Sequence, residues 1–181
     1  MKRAVFLDRD GVINKSLLID GLPRPPENLD QLEILPGVDK ALKMLKLNGF
    51  LLIVVTNQPD VARGLTSNAA VKAINDYLIT TFPIDAIFVC THDNEDNCIC
   101  RKPKPGLLLD AAIQFQIDIK SSFLIGDRWR DIEAGQAAGC DCYFVDYGYL
   151  EKSPPKPFER VYSLLEASID ILGRASNEKI K

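Results

Sequence analysis

Five short, almost wholly apolar runs punctuate the chain: AVFL at Ala4–Leu7, FLLIVV at Phe50–Val55, DAIFVC at Asp85–Cys90, SFLI at Ser122–Ile125 and DCYFV at Asp141–Val145. A strand with one wet face alternates apolar and polar residues, so strands that are apolar throughout need cover on both faces. The intervals carry helical spacing. Val38, Ala41, Leu42, Leu45 and Leu47 follow Pro36, and Val71, Ile74, Leu78 and Ile79 follow a cap at Thr66 or Ser67. Leu108, Ala112 and Phe115 follow Pro105, Asp131–Ala138 ends at Gly139, and Phe158–Leu172 is a closing amphipathic helix. This alternation predicts an α/β fold, a doubly wound (Rossmann-like) parallel sheet with helices on both faces. Ligands of such sheets bind beyond the carboxyl ends of the strands. Four of the runs lead into a chemically pointed residue there: Asp8, Thr56, Cys90 and Asp127.

At 181 residues the chain has the length of one domain, expected over residues 1–174, with a small loop at 90–100 inserted and a frayed tail at 175–181. The Pro-rich stretch Leu22–Asn28 reads as loop, and the segment Lys15–Glu27 is too short for a large cap domain; it is expected to close over the substrate. A formal net charge of −3 gives no bulk reason to bind nucleic acid or an anionic membrane. The apolar runs are far too short to span a bilayer, and MKRAVFLDRD carries no secretory h-region. A cytoplasmic monomer without nucleic-acid or membrane partners is the expectation.

The first run leads into Asp8-Arg9-Asp10-Gly11. Carboxylates at i and i+2 on extended backbone lie on one side of the strand, and Gly11 lets the chain turn away at once. One such acid can attack or hold a cation while the other shuttles a proton. Asp127 and Asp131 bring two more acids to the same edge. Carboxylates crowded in this way repel each other, and a hard cation such as Mg²⁺ neutralises them.

The chain has five cysteines and one histidine, and three of the cysteines fall within eleven residues around that histidine. Cys90, His92, Cys98 and Cys100 make a Cys₃His set, the composition of a closed structural Zn²⁺ site with no position left for water. Zn²⁺ bound there would order a polar loop and fix Arg101-Lys102 at the sheet edge. Cys140 and Cys142 read as buried free thiols.

FLDRDGVIN, VVTNQ, RKPKPG and IGDRWRDIEAG occur in the order of the four motifs of the haloacid dehalogenase-like phosphohydrolases, and the resemblance spans Phe6 to Gly139. It implies Mg²⁺-dependent phosphomonoester hydrolysis through an aspartyl-phosphate on Asp8, with Asp10 as general acid–base. Thr56 would donate to the phosphoryl group and Lys102, preferred over Lys104, would neutralise charge. Mg²⁺ would be held by Asp8, Asp127 and the Asp10 backbone carbonyl. Whether Asp131 touches the cation or only orients its ligands stays open.

The metal loop ahead of RKP resembles two branches of that family, one acting on heptose 1,7-bisphosphate and one on histidinol phosphate. TNQPDVARG and RKPKPG lean to the heptose branch; the short loop between His92 and Cys98, and GDR at Gly126–Arg128, lean to the other. The heptose branch is favoured. Asn57, Gln58, Arg101 and Arg128 are the expected substrate contacts, with Arg63 a further one; the arginines are expected because a second phosphate needs cationic recognition. A catalytically silent, zinc-held interaction module is the alternative from another class, and it predicts loss of Asp8, Asp10, Lys102 or Asp127. None is lost.

Overall fold

The computed structural model describes residues 1–19 and 21–178, with residues 176–178 described by backbone alone. In chain order the elements are β1 (Ala4–Leu7), β2 (Leu17–Ile19), β3 (Leu22–Arg24), α1 (Val38–Leu47), β4 (Leu51–Asn57), α2 (Asn68–Thr81) and β5 (Ala86–Cys90). There follow α3 (Gly106–Phe115), β6 (Phe123–Gly126), α4 (Trp129–Ala138), β7 (Asp141–Val145), β8 (Glu159–Val161) and α5 (Leu164–Glu178). Six strands form one sheet in the order β5–β4–β1–β6–β7–β8, and every pairing is parallel.

β1 lies inside the sheet, and its residues divide by parity. Val5 and Leu7 pack with Leu42 of α1, Ile74 of α2 and Ile171 of α5 on one face. Ala4 and Phe6 pack with Leu108 of α3 and Ile132 of α4 on the other. All four are fully buried, and burying a side chain the size of Val5, Phe6 or Leu7 contributes about 1.5–3 kcal/mol. Asp8 therefore emerges from a strand clamped on both sides. The strand order reverses at β1, with β4 on one flank and β6 on the other, which opens the crevice where such sheets bind ligands.

Several boundaries differ from the sequence expectation. Within Leu22–Asn28, residues Leu22–Arg24 are a strand, pairing Leu17↔Arg24, Leu18↔Pro23 and Ile19↔Leu22 in a hairpin. A two-stranded ribbon has an open edge, so the missing N–H of Pro23 costs no ladder bond. The stretch expected as one helix over Phe158–Leu172 begins instead as β8, followed by α5. Ser163 Oγ accepts from the Glu166 N–H (3.1 Å), and Glu166 Oε2 accepts from the Tyr162 N–H (2.7 Å), a reciprocal cap that sets the helix start. Helix α4 begins at Trp129, before Asp131. Of the tail expected at 175–181, Ala175 is buried in the core and the α5 backbone runs to Glu178; residues 179–181 lie outside the described residues. No helix among the described residues is long and apolar enough to cross a membrane.

Candidate functional site

Asp8 takes its position from the sheet. Its N–H donates to the Ile125 carbonyl of β6 (2.9 Å), continuing the β1–β6 ladder past the end of the strand. Lys102, on the loop after β5, lies under it and is 1% exposed. The ammonium donates to Asp8 Oδ1 (2.9 Å) and to the Val55 carbonyl (2.7 Å), and lies 2.6 Å from Asp131 Oδ1. Those three contacts use all three donors of a lysine. Burial opposes the Lys102 charge, but Asp131 and Asp8 outweigh it and hold the ammonium above its ordinary value. Burial lifts the Asp8 carboxyl to about 7; Lys102 pulls it down, while Asp131 and Asp10 push it up.

Asp127 follows β6 and is 1% exposed. Burial raises its carboxyl well above the usual range, with Asp8 and Asp131 adding to the rise. Neither of its oxygens has a full hydrogen-bond partner, although the Tyr149 phenol is near enough to pull the carboxyl down somewhat. Carboxylate oxygens of Asp8, Asp127 and Asp131 all lie within 4.8 Å of one another. Three buried acids against one ammonium leave about two negative charges uncompensated in a dry site, and a hard divalent cation fits that deficit. Asp131 is already engaged at both oxygens, by Lys102 at Oδ1 and by the Arg128 N–H at Oδ2 (2.9 Å), so it braces the lysine. Asp127 has both oxygens to offer.

Gly11 makes that approach possible. Its φ is +88°, and a Cβ there would sit 1.9 Å from Asp127 Oδ2. Gly11→Ala should therefore lower stability by about 1–3 kcal/mol in thermal melts and weaken divalent-cation binding about tenfold or more by displacing Asp127. Unchanged cation affinity would separate Asp127 from the cation site.

Asp10 is held by four contacts. Asn14 Nδ2 and Arg9 Nε donate to Oδ1 (2.9 and 3.2 Å), Gln58 Nε2 donates to Oδ2 (2.8 Å), and Arg9 Nη2 lies 3.2 Å from Oδ2. Gln58 Nε2 also donates to Thr56 Oγ1 (2.8 Å), which leaves the Thr56 hydroxyl hydrogen free to donate. Thr56 and Gln58 are both fully buried. Gln58 was expected to touch substrate; its burial makes it instead the link between Asp10 and Thr56. Asn57, the last residue of β4, lines the cleft, but its amide is committed. Its Nδ2 donates to the Lys102 carbonyl (3.0 Å) and its Oδ1 accepts from the Lys102 N–H (3.1 Å). It clasps the lysine backbone from its place on the cleft wall. Arg9 and Asn14, which the sequence reading passed over, complete the surroundings of Asp10.

Cys90, His92, Cys98 and Cys100 converge at the end of β5. Sulfur–sulfur separations are 3.2 Å (90–100), 3.4 Å (98–100) and 3.7 Å (90–98), and His92 Nδ1 lies 3.3 Å from Cys100 Sγ and 3.7 Å from Cys90 Sγ. A tetrahedron with metal–sulfur arms of about 2.3 Å has edges of roughly 3.8 Å, so the donor set fits Zn²⁺. Arg101 folds back over this loop, donating from Nε to Asn94 Oδ1 (2.9 Å) and from Nη1 to the His92 carbonyl (3.2 Å). Cys140 and Cys142 are buried free thiols in the core with α3 and α4.

Above Asp8 and Asp10 opens a cleft of about 330 Å³, walled in part by the β2–β3 hairpin through Leu22, Pro23 and Arg24. Arg24, Arg63, Arg101, Lys102, Arg128 and Arg130 all line it. Arg128 forks onto both Glu151 oxygens. Arg63 forks onto Asp93 (2.7 and 2.8 Å) and holds that carboxyl down to about 2, joining the segment after β4 to the cysteine loop. Arg130 has no carboxylate partner among the described residues; it stacks over Trp129, 4.4 Å from the ring centre.

Comparison with known proteins gives consistent matches. A family model described as HAD-hydrolase-like matches residues 99–167. The chain is 35% identical over 156 residues to the D-glycero-beta-D-manno-heptose-1,7-bisphosphate 7-phosphatase of Bordetella bronchiseptica, covering 83% of this chain and 84% of that one. It is 39% identical over 140 residues to the enzyme of the same name from Helicobacter pylori strain J99, covering 74% and 76%. The crystal structure of D,D-heptose 1,7-bisphosphate phosphatase from B. bronchiseptica complexed with magnesium and phosphate superimposes with a TM-score of 0.84 at 32% identity, covering 96% of this chain and 99% of the other.

Proposed function

This chain belongs to the haloacid dehalogenase-like hydrolases, and from that premise we propose that it is a phosphatase removing the 7-phosphate of D-glycero-D-manno-heptose 1,7-bisphosphate. The observation that carries the reading is the cleft, with a reacting carboxylate on its floor and basic side chains on its walls. A sugar bearing two phosphates needs both.

Asp8 attacks the 7-phosphorus, the bond from phosphorus to the sugar oxygen breaks, and Asp10 gives its proton to the departing oxygen. Water then attacks the aspartyl-phosphate while Asp10, now a carboxylate, takes its proton, and inorganic phosphate leaves with Asp8 restored. Lys102 holds Asp8 in line and balances the charge that gathers on the phosphoryl oxygens, and Thr56 offers those oxygens its free hydroxyl hydrogen. Mg²⁺, for which Asp8, Asp127 and the Asp10 carbonyl are the proposed ligands, supplies further neutralisation of that charge when bound. Zn²⁺ on Cys90, His92, Cys98 and Cys100 fixes the loop that delivers Arg101 and Lys102. Arg101 and Arg128 meet the non-reacting phosphate from the cleft wall.

Phosphate release in Mg²⁺, measured at matched concentrations of heptose 1,7-bisphosphate and histidinol phosphate, tests the substrate. The bisphosphate should be preferred by about 10², or about 2.7 kcal/mol in kcat/KM. A preference for histidinol phosphate overturns this reading.

The cation assignment carries a pH signature. The Asp8 carboxyl of the cation-free fold sits at about 7, above the carboxylate's unfolded value, so the folded chain keeps that proton to higher pH. Stability of the cation-free protein is then lost as pH rises from about 4 through about 7, and bound Mg²⁺ removes the penalty. The rise in melting temperature on adding Mg²⁺ should grow between about pH 5 and pH 8. A rise that does not change with pH would detach the cation from these acids.

A further inference from the structure

Two departures from apolar patterning meet below Asp10. Val5 and Leu7 of β1 face α1, α2 and α5, and by the same two-residue parity position 9 falls on that apolar side. It is occupied by arginine, 0% exposed and the largest fully buried side chain of the described residues. On α2 the buried stripe runs Val71, Ile74 and Leu78, and Asn75 interrupts it while itself buried. These two residues bind each other, with Arg9 Nη1 donating to Asn75 Oδ1 (3.0 Å). The guanidinium then turns its remaining edge to Asp10, with Nε and Nη2 each 3.2 Å from a different carboxylate oxygen.

A buried guanidinium loses several kcal/mol of hydration, which an apolar residue of similar volume would avoid. Asp10 is its sole ion-pair partner among the described residues. Of the three hydrogen bonds that restrain the Asp10 carboxyl, Arg9 Nε makes one, on Oδ1, and its Nη2, which has no hydrogen-bond partner of its own, lies 3.2 Å from Oδ2 as an ion pair, so the guanidinium edge faces both oxygens of the group. Asn14 and Gln58 hold one oxygen each. We propose that Arg9, braced by Asn75, is a positioning residue that sets the plane of the Asp10 carboxyl for proton transfer to and from the sugar oxygen. This rests on the phosphatase reading above and on Asp10 as its acid–base.

The test uses the dependence of rate on leaving group. An alkoxide needs a proton to depart, whereas the phenolate of p-nitrophenyl phosphate does not. kcat/KM reports the steps up to departure of the alcohol, before the water step. In the metal-loaded full chain, Arg9→Met should lower kcat/KM for heptose 1,7-bisphosphate by about thirtyfold or more. For p-nitrophenyl phosphate it should change kcat/KM by less than about threefold while kcat and KM fall together, because Asp10 still serves as base in the second step. Arg9→Lys, which keeps the charge without the planar guanidinium edge, should recover only part of the loss on the sugar ester. If Arg9→Met does not fold, Asn75→Leu, which removes the brace and leaves the ion pair, is read in the same comparison. It should show the same selectivity at about five- to tenfold.

Equal losses on the two esters would overturn the proposal and reduce Arg9 to a packing role. A parent enzyme that turns over p-nitrophenyl phosphate and alkyl phosphates other than the heptose ester, but not the heptose ester itself, fails the substrate reading alone, and the comparison then runs on those alkyl esters. A parent inactive on every ester overturns both.

Discussion

Asp8→Asn should lower phosphate release from heptose 1,7-bisphosphate by about 10⁴-fold or more, a loss of about 5.5 kcal/mol of transition-state stabilisation. The substitution is nearly isosteric, and an amide oxygen can still accept from Lys102 as the Asp8 oxygen does now at 2.9 Å. What it removes is the anionic nucleophile. Lys102 keeps Asp131 at 2.6 Å and the Val55 carbonyl at 2.7 Å, so it is not left as an orphaned buried charge. The cation-free variant should therefore melt no lower than its parent, since burial of the Asp8 carboxylate is itself unfavourable. Lost activity with retained stability points to chemistry. Residual activity within about tenfold of the parent would sink the aspartyl-phosphate route.

The second large effect is expected at the cysteine loop. Metal analysis should find about one zinc per chain, and Cys98→Ser or chelation should destabilise the protein by about 3 kcal/mol or more. In a domain of this size that corresponds to roughly 6–12 °C of melting temperature. Activity should fall with it, because the loop bearing the four ligands runs directly into Arg101 and Lys102. Zn²⁺ should restore both properties and Mg²⁺ neither. A chelated protein with unchanged melting and unchanged turnover would remove zinc from the account.

Much of this arrangement was legible in the sequence because it depends on contiguous residues. Buried parallel strands are apolar throughout, so β1, β4, β5, β6 and β7 announced themselves, and the residues just past their ends identified the edge where chemistry gathers. The Cys₃His set was legible because its members fall within eleven residues. The edge strand β8 was hidden because Glu159 and Arg160 face solvent and break the apolar run. The β2–β3 hairpin was hidden by Pro23, which argues against a central strand but not against an open ribbon. Side-chain roles set by distant partners were the least visible. Gln58 and Asn57 belong to the motif expected to meet substrate, yet one is turned to Asp10 and the other to the backbone of a residue 45 positions away. Arg9 sits between two acids, where a charged residue is ordinarily read as solvated. Only the fold shows it buried.

The Asn57–Lys102 clasp bears on the order of events as the chain acquires its structure. Lys102 must reach Asn57 across 45 residues and Asp8 across 94, and neither contact is available to a locally folded segment. Closing loops of that length carries an entropic cost that is recovered only when the sheet pairings β1–β4 and β4–β5 are both in place. Lys102 is thus held at the sheet edge by partners distant in sequence rather than by its own segment. A form of the chain without those two pairings does not bring Lys102 to Asn57 and Asp8, so the geometry of this edge depends on the whole sheet rather than on any one of its motifs.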